Sequence, residues 1–235
     1  MSRSAKSQIM PLALSPMSPT QAQRVASRKA LIAMSRRRQR PGSGSMLEDL
    51  LRTRGMTMEW WLTISNRLAR NGVPNAVAGA IASNAYMPPR HTADFDLMIE
   101  LEKLTIANEI LSVDEWEHIG DLDLYEGLEG TAWKGLSDES RLVDIIGLPD
   151  EWGRTAIATA QDNVVGGIPT LTLPFLVITK LISSRAQDTA DLSRALGAAD
   201  DAARERVLVA VRHYRPSDAD DVEQLIELGK LEFGR

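Results

Sequence analysis

Residues 90–100 read Arg-His-Thr-Ala-Asp-Phe-Asp-Leu-Met-Ile-Glu, and Phe95, Leu97 and Ile99 occupy every second position of the second half. Successive side chains on a strand point to opposite faces, so this alternation predicts a strand with one apolar face in the core. Asp94 and Asp96 then lie side by side on the other face. Two carboxylates this close repel each other unless a cation lies between them.

A third acidic residue, Asp144, lies inside an apolar run over residues 141–146, which we predict to be a later strand. Its carboxylate can complete an oxygen-only cluster with Asp94 and Asp96, and Mg²⁺ prefers oxygen ligands. Paired metal ions stabilise the attacking and leaving oxygens of an in-line displacement at phosphorus. The three residues therefore point to magnesium-dependent phosphoryl chemistry.

The segment upstream of this strand contains small apolar residues from Ala76 to Tyr86, with Gly79 followed by Ala80. This composition predicts a short strand and a tight turn that runs into a helix. A glycine in such a turn allows main-chain amides to approach a phosphate with no side chain in the way.

Helical spacing of apolar residues covers much of the remaining chain. The predicted helices are 47–71, 101–118, 173–184, 189–196, 201–214 and 219–228. Between the second and third of them, a turn-rich region holds Gly127, Gly130 and Gly135. The predicted fold is α+β: a small mixed-sheet core flanked by helices, with a helical C-terminal half.

Charge divides the chain into unlike parts. Residues 1–45 hold nine basic residues and no acidic one, which leaves 18 basic and 32 acidic residues elsewhere, a formal charge of −14. We predict a basic disordered tail or linker over 1–45, a core over 46–165 and a helical region over 166–235. The acidic body argues against a passive nucleic-acid coat, since backbone binding needs a surplus of Lys and Arg.

The composition also excludes several classes of protein. With no cysteine in the sequence, disulfides, zinc–thiolate sites and cysteine nucleophiles are excluded. No apolar run reaches the roughly 18 residues of a membrane span. We therefore expect a cytoplasmic protein that makes no membrane contact.

The glycine turn, the Arg-x-Thr-x-Asp-x-Asp strand at residues 90–96 and the later Asp144 together resemble the nucleotidyltransferase superfamily with the DNA polymerase beta-like fold. A downstream set resembles the small bacterial abortive-infection (AbiEii-type) members of that superfamily. It comprises Ile168-Pro169, Leu173-Pro174, Lys180 and Arg185-x-x-Asp188-x-x-Asp191-Leu192. The resemblance extends from about Val73 to Leu196.

The resemblance implies roles for the acidic residues. Asp94 and Asp96 would bind two Mg²⁺ ions, and Asp144 would bind one of them and be a candidate base for an acceptor hydroxyl. Each has a structural alternative: Asp94 and Asp96 as solvated acids at a strand end, and Asp144 as a helix cap or salt-bridge partner.

It also implies a set of nucleotide-binding residues. Gly79 and Ala80 would form the phosphate turn, although Ala80 stands where Gly or Ser is usual. Arg90 would contact phosphate or order the strand, Thr92 would brace the local backbone, and Lys180 would reach the nucleoside triphosphate.

The downstream basic and acidic residues have structural alternatives as well. Lys180 could instead extend its ammonium to solvent from a partly buried helix. For Arg185, Asp188 and Asp191, a structural charge network is favoured over contact with substrate.

The activity that follows is transfer of a nucleoside monophosphate from a triphosphate to an acceptor hydroxyl. The resemblance suggests an RNA end such as tRNA as acceptor, and a toxin of a toxin–antitoxin pair with a cognate antitoxin as partner. A small-molecule acceptor of the aminoglycoside type is an alternative, since a cationic acceptor suits an acidic surface. A non-catalytic binding or regulatory protein with the same fold is the other alternative.

Overall fold

The computed structural model describes residues 59–88, 94–113 and 115–234, without the side chains of Glu59 and Asp94. The tail predicted over residues 1–45 and the first part of the helix predicted from residue 47 lie outside this range. The division at residues 165 and 166 stays a prediction.

Five strands form one mixed sheet. Their bounds are β1 Asn75–Val77, β2 Asp94–Glu100, β3 Trp116–Asp121, β4 Glu129–Gly135 and β5 Leu142–Leu148. The spatial order is β1-β2-β5-β4-β3, in which only β2 and β5 are parallel neighbours. The separate hairpin of β6 (Val164–Val165) and β7 (Ile168–Pro169) follows this sheet in the chain.

Eight α-helices lie in the described residues. Their bounds are α1 Glu59–Arg70, α2 Gly79–Ser83, α3 Leu104–Ser112, α4 Asp150–Ala160, α5 Leu173–Ser183, α6 Ala186–Ala198, α7 Asp201–Tyr214 and α8 Ala219–Glu232. None of these helices is long and apolar enough to cross a membrane. The predicted α+β class, with a mixed sheet, flanking helices and a helical C-terminal half, is confirmed.

The alternation in β2 places Phe95 and Leu97 in the core, where both are fully buried. The ring of Phe95 stacks on Trp61 with 5.1 Å between ring centroids, and Trp60 meets the same ring edge-on at 5.5 Å. Stacked and edge-on aromatic pairs are favourable geometries beyond the apolar area they bury. Helix α1 is thereby fixed against one face of β2, while Asp96 lies on the other face.

The helix predicted over 101–118 is wrong in its last part, because α3 ends at Ser112 and β3 begins at Trp116. Ile106, an apolar residue of α3, is 40% exposed. Strand β3 lies at the edge of the sheet, and only Trp116 among its residues is buried. A strand exposed on both faces lacks the alternation by which strands are recognised.

The turn-rich region contains a further strand that the sequence did not predict, β4. Two of the glycines interpreted as turn residues, Gly130 and Gly135, belong to it. A β-carbon at Gly130 would lie 2.9 Å from the carbonyl oxygen of Ile145 and from a methyl group of Leu122. Gly130 therefore permits close packing inside the sheet, and a glycine in a strand often has this function.

Helix α5 joins the sheet to the helical half of the protein. Every residue from Phe175 to Ile182 on this helix is buried. Helices α6 and α8 pack through Gly197 and Gly229, where a β-carbon on Gly229 would lie 2.1 Å from the carbonyl oxygen of Ser193. Such a contact requires glycine at both positions and holds α6 and α8 closely together.

Candidate functional site

Two of the three predicted acidic residues lie directly opposite each other in the sheet. Strands β2 and β5 run parallel, and their register pairs the Cα atoms of Asp96 and Asp144. Paired residues of neighbouring strands point to the same face, so the two half-buried carboxylates share one side of the sheet. Both line the same cavity, which has a volume of about 610 Å³.

The third predicted carboxylate, Asp94, begins β2 two residues before Asp96. Its side chain lies outside the described part of the structure, as do Arg90 and Thr92 entirely. The position of its carboxylate beside Asp96 therefore stays a prediction.

The predicted glycine turn lies against the carboxylate of Asp96. Gly79 has a φ angle of +57°, in the left-handed region that favours glycine, and opens α2. A β-carbon at this position would lie 1.6 Å from Oδ2 of Asp96, which no side chain can tolerate. The amide of Ala78 donates a hydrogen bond of 2.9 Å to the carbonyl oxygen of Asp96. Glycine is thus required at residue 79 on two grounds, backbone conformation and contact with Asp96.

Ala80 follows Gly79 in α2, and its side chain is buried. The cavity wall includes Gly79 and not Ala80. A serine hydroxyl at residue 80 would therefore be attached to a buried β-carbon outside the cavity wall, whereas Gly79 lines the cavity.

Lys180 lies on α5 and is held by two carboxylates. Its Nζ donates hydrogen bonds of 2.9 Å to Asp188 and 2.8 Å to Asp191, and all three side chains are at most 6% exposed. Charged groups at this depth are tolerated when they are paired and hydrogen-bonded. The charge network predicted for Asp188 and Asp191 is present, and it includes Lys180.

Asp188 is the centre of this network. Lys180 donates to its Oδ1, while Arg185 Nε at 2.9 Å and the Ser183 hydroxyl at 2.5 Å donate to its Oδ2. Burial raises the pKa of the Asp188 carboxyl, but the hydrogen bond from Arg185 and the charge of Lys180 outweigh burial, so the pKa lies below the ordinary range. Asp188 is therefore an anion in the folded protein at neutral pH.

Arg185 differs from Lys180 in exposure. Its side chain is 73% exposed and lines the cavity that also holds Asp96 and Asp144. The hydrogen bond to Asp188 raises the pKa of the guanidinium, and the charge of Asp96 adds to that rise. The cavity is thus bordered by a cation that Asp188 holds, as well as by the carboxylates of the sheet.

The loop between β3 and β4 supplies a wall of the cavity that the sequence did not predict. Leu122, Leu124 and Leu128 make this wall apolar, and Asp123 and Tyr125 add polar groups. Leucines alternate with acidic residues at its start, and nothing in that pattern signals a binding wall.

An ion pair over a long sequence separation ties this loop to the helical half. Arg215, which follows α7, donates hydrogen bonds to both carboxylate oxygens of Glu126 in the loop. Its Nε donates at 2.6 Å to Asp218, which is fully buried. The hydrogen bonds join residues 89 positions apart, so the helical half anchors the wall of the cavity.

The donor atoms of Asp96 and Asp144 fit a hard cation such as Mg²⁺, because both are carboxylate oxygens on one face of the sheet. Among the side chains that the structure describes, no three acidic or histidine residues are grouped closely enough to hold a metal ion. The predicted third ligand, Asp94, is outside that set, so the complete cluster stays a prediction.

Comparison with known proteins gives structural likenesses alone. No protein-family model and no curated protein matches the chain. Among solved structures, the antibiotic-resistance factor ANT(2'')-Ia is 16% identical with a TM-score of 0.42, over 76% of this chain and 94% of that one. The Cid1 poly(U) polymerase is 12% identical with a TM-score of 0.34, over 77% of this chain and 44% of that one. Both neighbours have the nucleotidyltransferase fold.

Proposed function

We propose that the protein is a magnesium-dependent nucleotidyltransferase that moves a nucleoside monophosphate from a nucleoside triphosphate to an acceptor hydroxyl. The observation that carries this proposal is the pairing of Asp96 with Asp144 across two parallel strands, with the Gly79 turn in contact with Asp96. Two acidic side chains on one face of a sheet, beside a backbone turn and an open cavity, suit phosphate transfer with a divalent cation.

Asp94, Asp96 and Asp144 would hold the magnesium. Bound Mg²⁺ would neutralise charge on the phosphate oxygens and on the leaving group. The residues of the chain supply the rest: the sheet fixes the carboxylates, and Gly79 keeps the space beside Asp96 free of a side chain.

The reaction exchanges one phosphorus–oxygen bond for another. The acceptor oxygen forms a bond to the α-phosphorus, while the bond from that phosphorus to the bridging oxygen of the β-phosphate breaks. Pyrophosphate leaves with the bonding electron pair. We assign the acceptor proton to the carboxylate of Asp144, which accepts it as general base.

The nucleotide would lie along the turn at Gly79 and Ala80, with Arg90 and Thr92 at the start of β2. Lys180 belongs to the same proposed set on the strength of the family resemblance. Its ammonium is buried between Asp188 and Asp191, however, so a direct contact with the triphosphate would require it to leave two carboxylates.

The acceptor follows from the family resemblance and from charge. An RNA end such as tRNA, with the protein as toxin and a cognate antitoxin as partner, is the first proposal. A cationic small molecule of the aminoglycoside type is the second, and the formal charge of −14 over residues 46–235 favours it.

The test is incubation of the purified protein with labelled nucleoside triphosphates, magnesium, bulk tRNA and a panel of small-molecule acceptors. We expect label on one acceptor class, lost with Asp96→Asn and with Asp144→Asn. Glu223→Gln makes the same carboxylate-to-amide change at a half-exposed residue of α8, and as the matched control it should keep full activity. Failure of label transfer with every acceptor would contradict the proposal and favour a non-catalytic protein. Transfer unchanged by both aspartate substitutions would contradict the assignment of the site to Asp96 and Asp144.

A further inference from the structure

We infer that Arg185 supplies the positive charge that binds the phosphate groups of the nucleotide, with Lys180 and Asp188 as the residues that position it. This inference rests on the proposed function, because it assigns a ligand contact within the same cavity. The sequence predicted the opposite division, with Lys180 in contact with the triphosphate and Arg185 in a structural network.

The charge of Lys180 is already balanced. Two carboxylates accept from its ammonium at 2.8 and 2.9 Å, and its side chain is 6% exposed. Moving this ammonium to a phosphate would take it away from two buried carboxylates, with Arg185 still donating to Asp188, and the loss of one partner from a buried ion pair is strongly unfavourable. Lys180 is therefore a structural cation in this protein.

Arg185 has the exposure and the donors that a phosphate contact needs. Its Nε is fixed by Asp188 at 2.9 Å, while its terminal nitrogens donate no hydrogen bond to any residue that the structure describes. The side chain is 73% exposed and borders the cavity. A guanidinium held at Nε presents its two terminal nitrogens as a fork, and that geometry matches two phosphate oxygens.

Asp188 sets the direction of that fork. It is fully enclosed, with Lys180 on one oxygen and Ser183 and Arg185 on the other. A carboxylate fixed from three sides restricts the guanidinium it binds, so less conformational freedom is lost when a phosphate arrives. Asp188 and Lys180 are thus positioning residues for Arg185.

The position relative to the acidic residues is suitable for a nucleotide. Arg185, Asp96 and Asp144 border one cavity of about 610 Å³, and the guanidinium lies within electrostatic range of Asp96. A triphosphate bound through a metal at the carboxylates would have its remaining negative charge facing this cation. The cavity would then hold the phosphate chain between a metal-binding wall and a cationic wall.

The test measures binding of a non-transferable triphosphate analogue with magnesium, and of the matching nucleoside, to the full-length protein. Arg185→Gln should weaken binding of the triphosphate analogue about tenfold or more and leave nucleoside binding unchanged. Arg185→Lys should be intermediate, because it keeps the charge and loses the Nε contact with Asp188. Arg194→Gln is the matched control, since Arg194 lies on α6 and its Nε pairs with Glu232.

The two proposals fail in different ways. Equal binding of the triphosphate analogue by the wild type and by Arg185→Gln would overturn this inference alone. The same loss for nucleoside and triphosphate would overturn it too, because it would show a change of shape and not a lost phosphate contact. A wild-type protein that neither binds the analogue nor transfers label would overturn both this inference and the proposed function.

Discussion

Two arginines near the cavity share one local motif and differ in exposure. Arg185 and Arg215 each stand three residues before a buried aspartate, and each donates from Nε to Oδ2 of that aspartate. Arg215 uses its terminal nitrogens on Glu126 and is 11% exposed, whereas Arg185 is 73% exposed. The same Arg-x-x-Asp motif thus has two uses. At Arg215 it links the helical half to the β3–β4 loop, and at Arg185 it places a cation at the border of the cavity.

The surroundings of the two aspartates explain this difference. Asp188 also accepts hydrogen bonds from Lys180 and Ser183. Its negative charge is therefore stabilised with only one donor, Nε, from Arg185. Arg215 faces the Glu126 carboxylate of the β3–β4 loop and is fully engaged. Arg185 thus shares its aspartate with the buried Lys180. Arg215 itself joins Asp218 to Glu126.

The largest effect on stability is expected from the removal of the Lys180 ammonium. Lys180→Met should lower the free energy of unfolding by about 3–5 kcal/mol, because the buried carboxylates of Asp188 and Asp191 lose the ammonium that donates to both. Urea denaturation measures it. Lys230→Met, which removes a more exposed ion pair with Glu227 on α8, is the control and should change stability by about 1 kcal/mol or less. Equal effects of the two substitutions would contradict a structural role for Lys180.

Substitution of the two arginines tests the comparison itself. Arg215→Gln should lower the free energy of unfolding by about 2–3 kcal/mol, because it weakens contacts to a buried aspartate and to Glu126. Arg185→Gln should lower it by about 1 kcal/mol or less, since Asp188 keeps Lys180 and Ser183. Thermal or urea unfolding of both variants provides the measurement. A reversed order would show that Arg185 is the structural arginine.

A smaller effect on stability is expected from substitution of Glu126 in the β3–β4 loop. Glu126→Gln removes the charge that Arg215 holds and leaves the pair with Asp218, so stability should fall by about 1 kcal/mol or less. Since the loop lines the cavity, KM for the nucleotide should rise about threefold while kcat changes little. Steady-state kinetics with the identified acceptor tests this. An unchanged KM would show that the ion pair between Arg215 and Glu126 does not affect nucleotide binding.

The pH dependence of stability should reveal Asp188. Its folded-state pKa lies below the ordinary aspartate value of about 3.9, so its contribution is present above that value and is lost as pH falls through the lower folded pKa. Asp188→Asn should therefore be less stable than the wild type at pH 7, with a difference that narrows below about pH 4. Urea midpoints between pH 7 and 3 measure it, and a constant difference would contradict the assignment.

The acidic face and the strands that carry it could be predicted from the sequence. The alternation around Phe95 and the apolar run around Asp144 are local patterns, and both strands are present with their aspartates in register. The four C-terminal helices were predicted for the same reason, with bounds close to those of α5 to α8. A local pattern is sufficient where burial on one face follows directly from the spacing of residues.

The distribution of charge could not be predicted in this way. In the sequence, Arg185 and Arg215 have the same relation to an aspartate three residues later, and only the fold brings Glu126 to Arg215. The family resemblance made Lys180 a candidate ligand, and its pairing with Asp188 and Asp191 of the next helix could not be predicted from the sequence. The edge strand β3 was missed because its side chains are mostly exposed.

The most direct measurement compares label from the α- and γ-positions of the nucleoside triphosphate. Transfer of a nucleoside monophosphate should place α-label on the acceptor and γ-label in pyrophosphate, and Asp96→Asn should abolish both. Transfer of γ-label to the acceptor would show a phosphotransferase, and retention of both labels in the triphosphate with every acceptor would show that the paired aspartates do not support transfer. Either result would contradict the proposed nucleotidyltransferase.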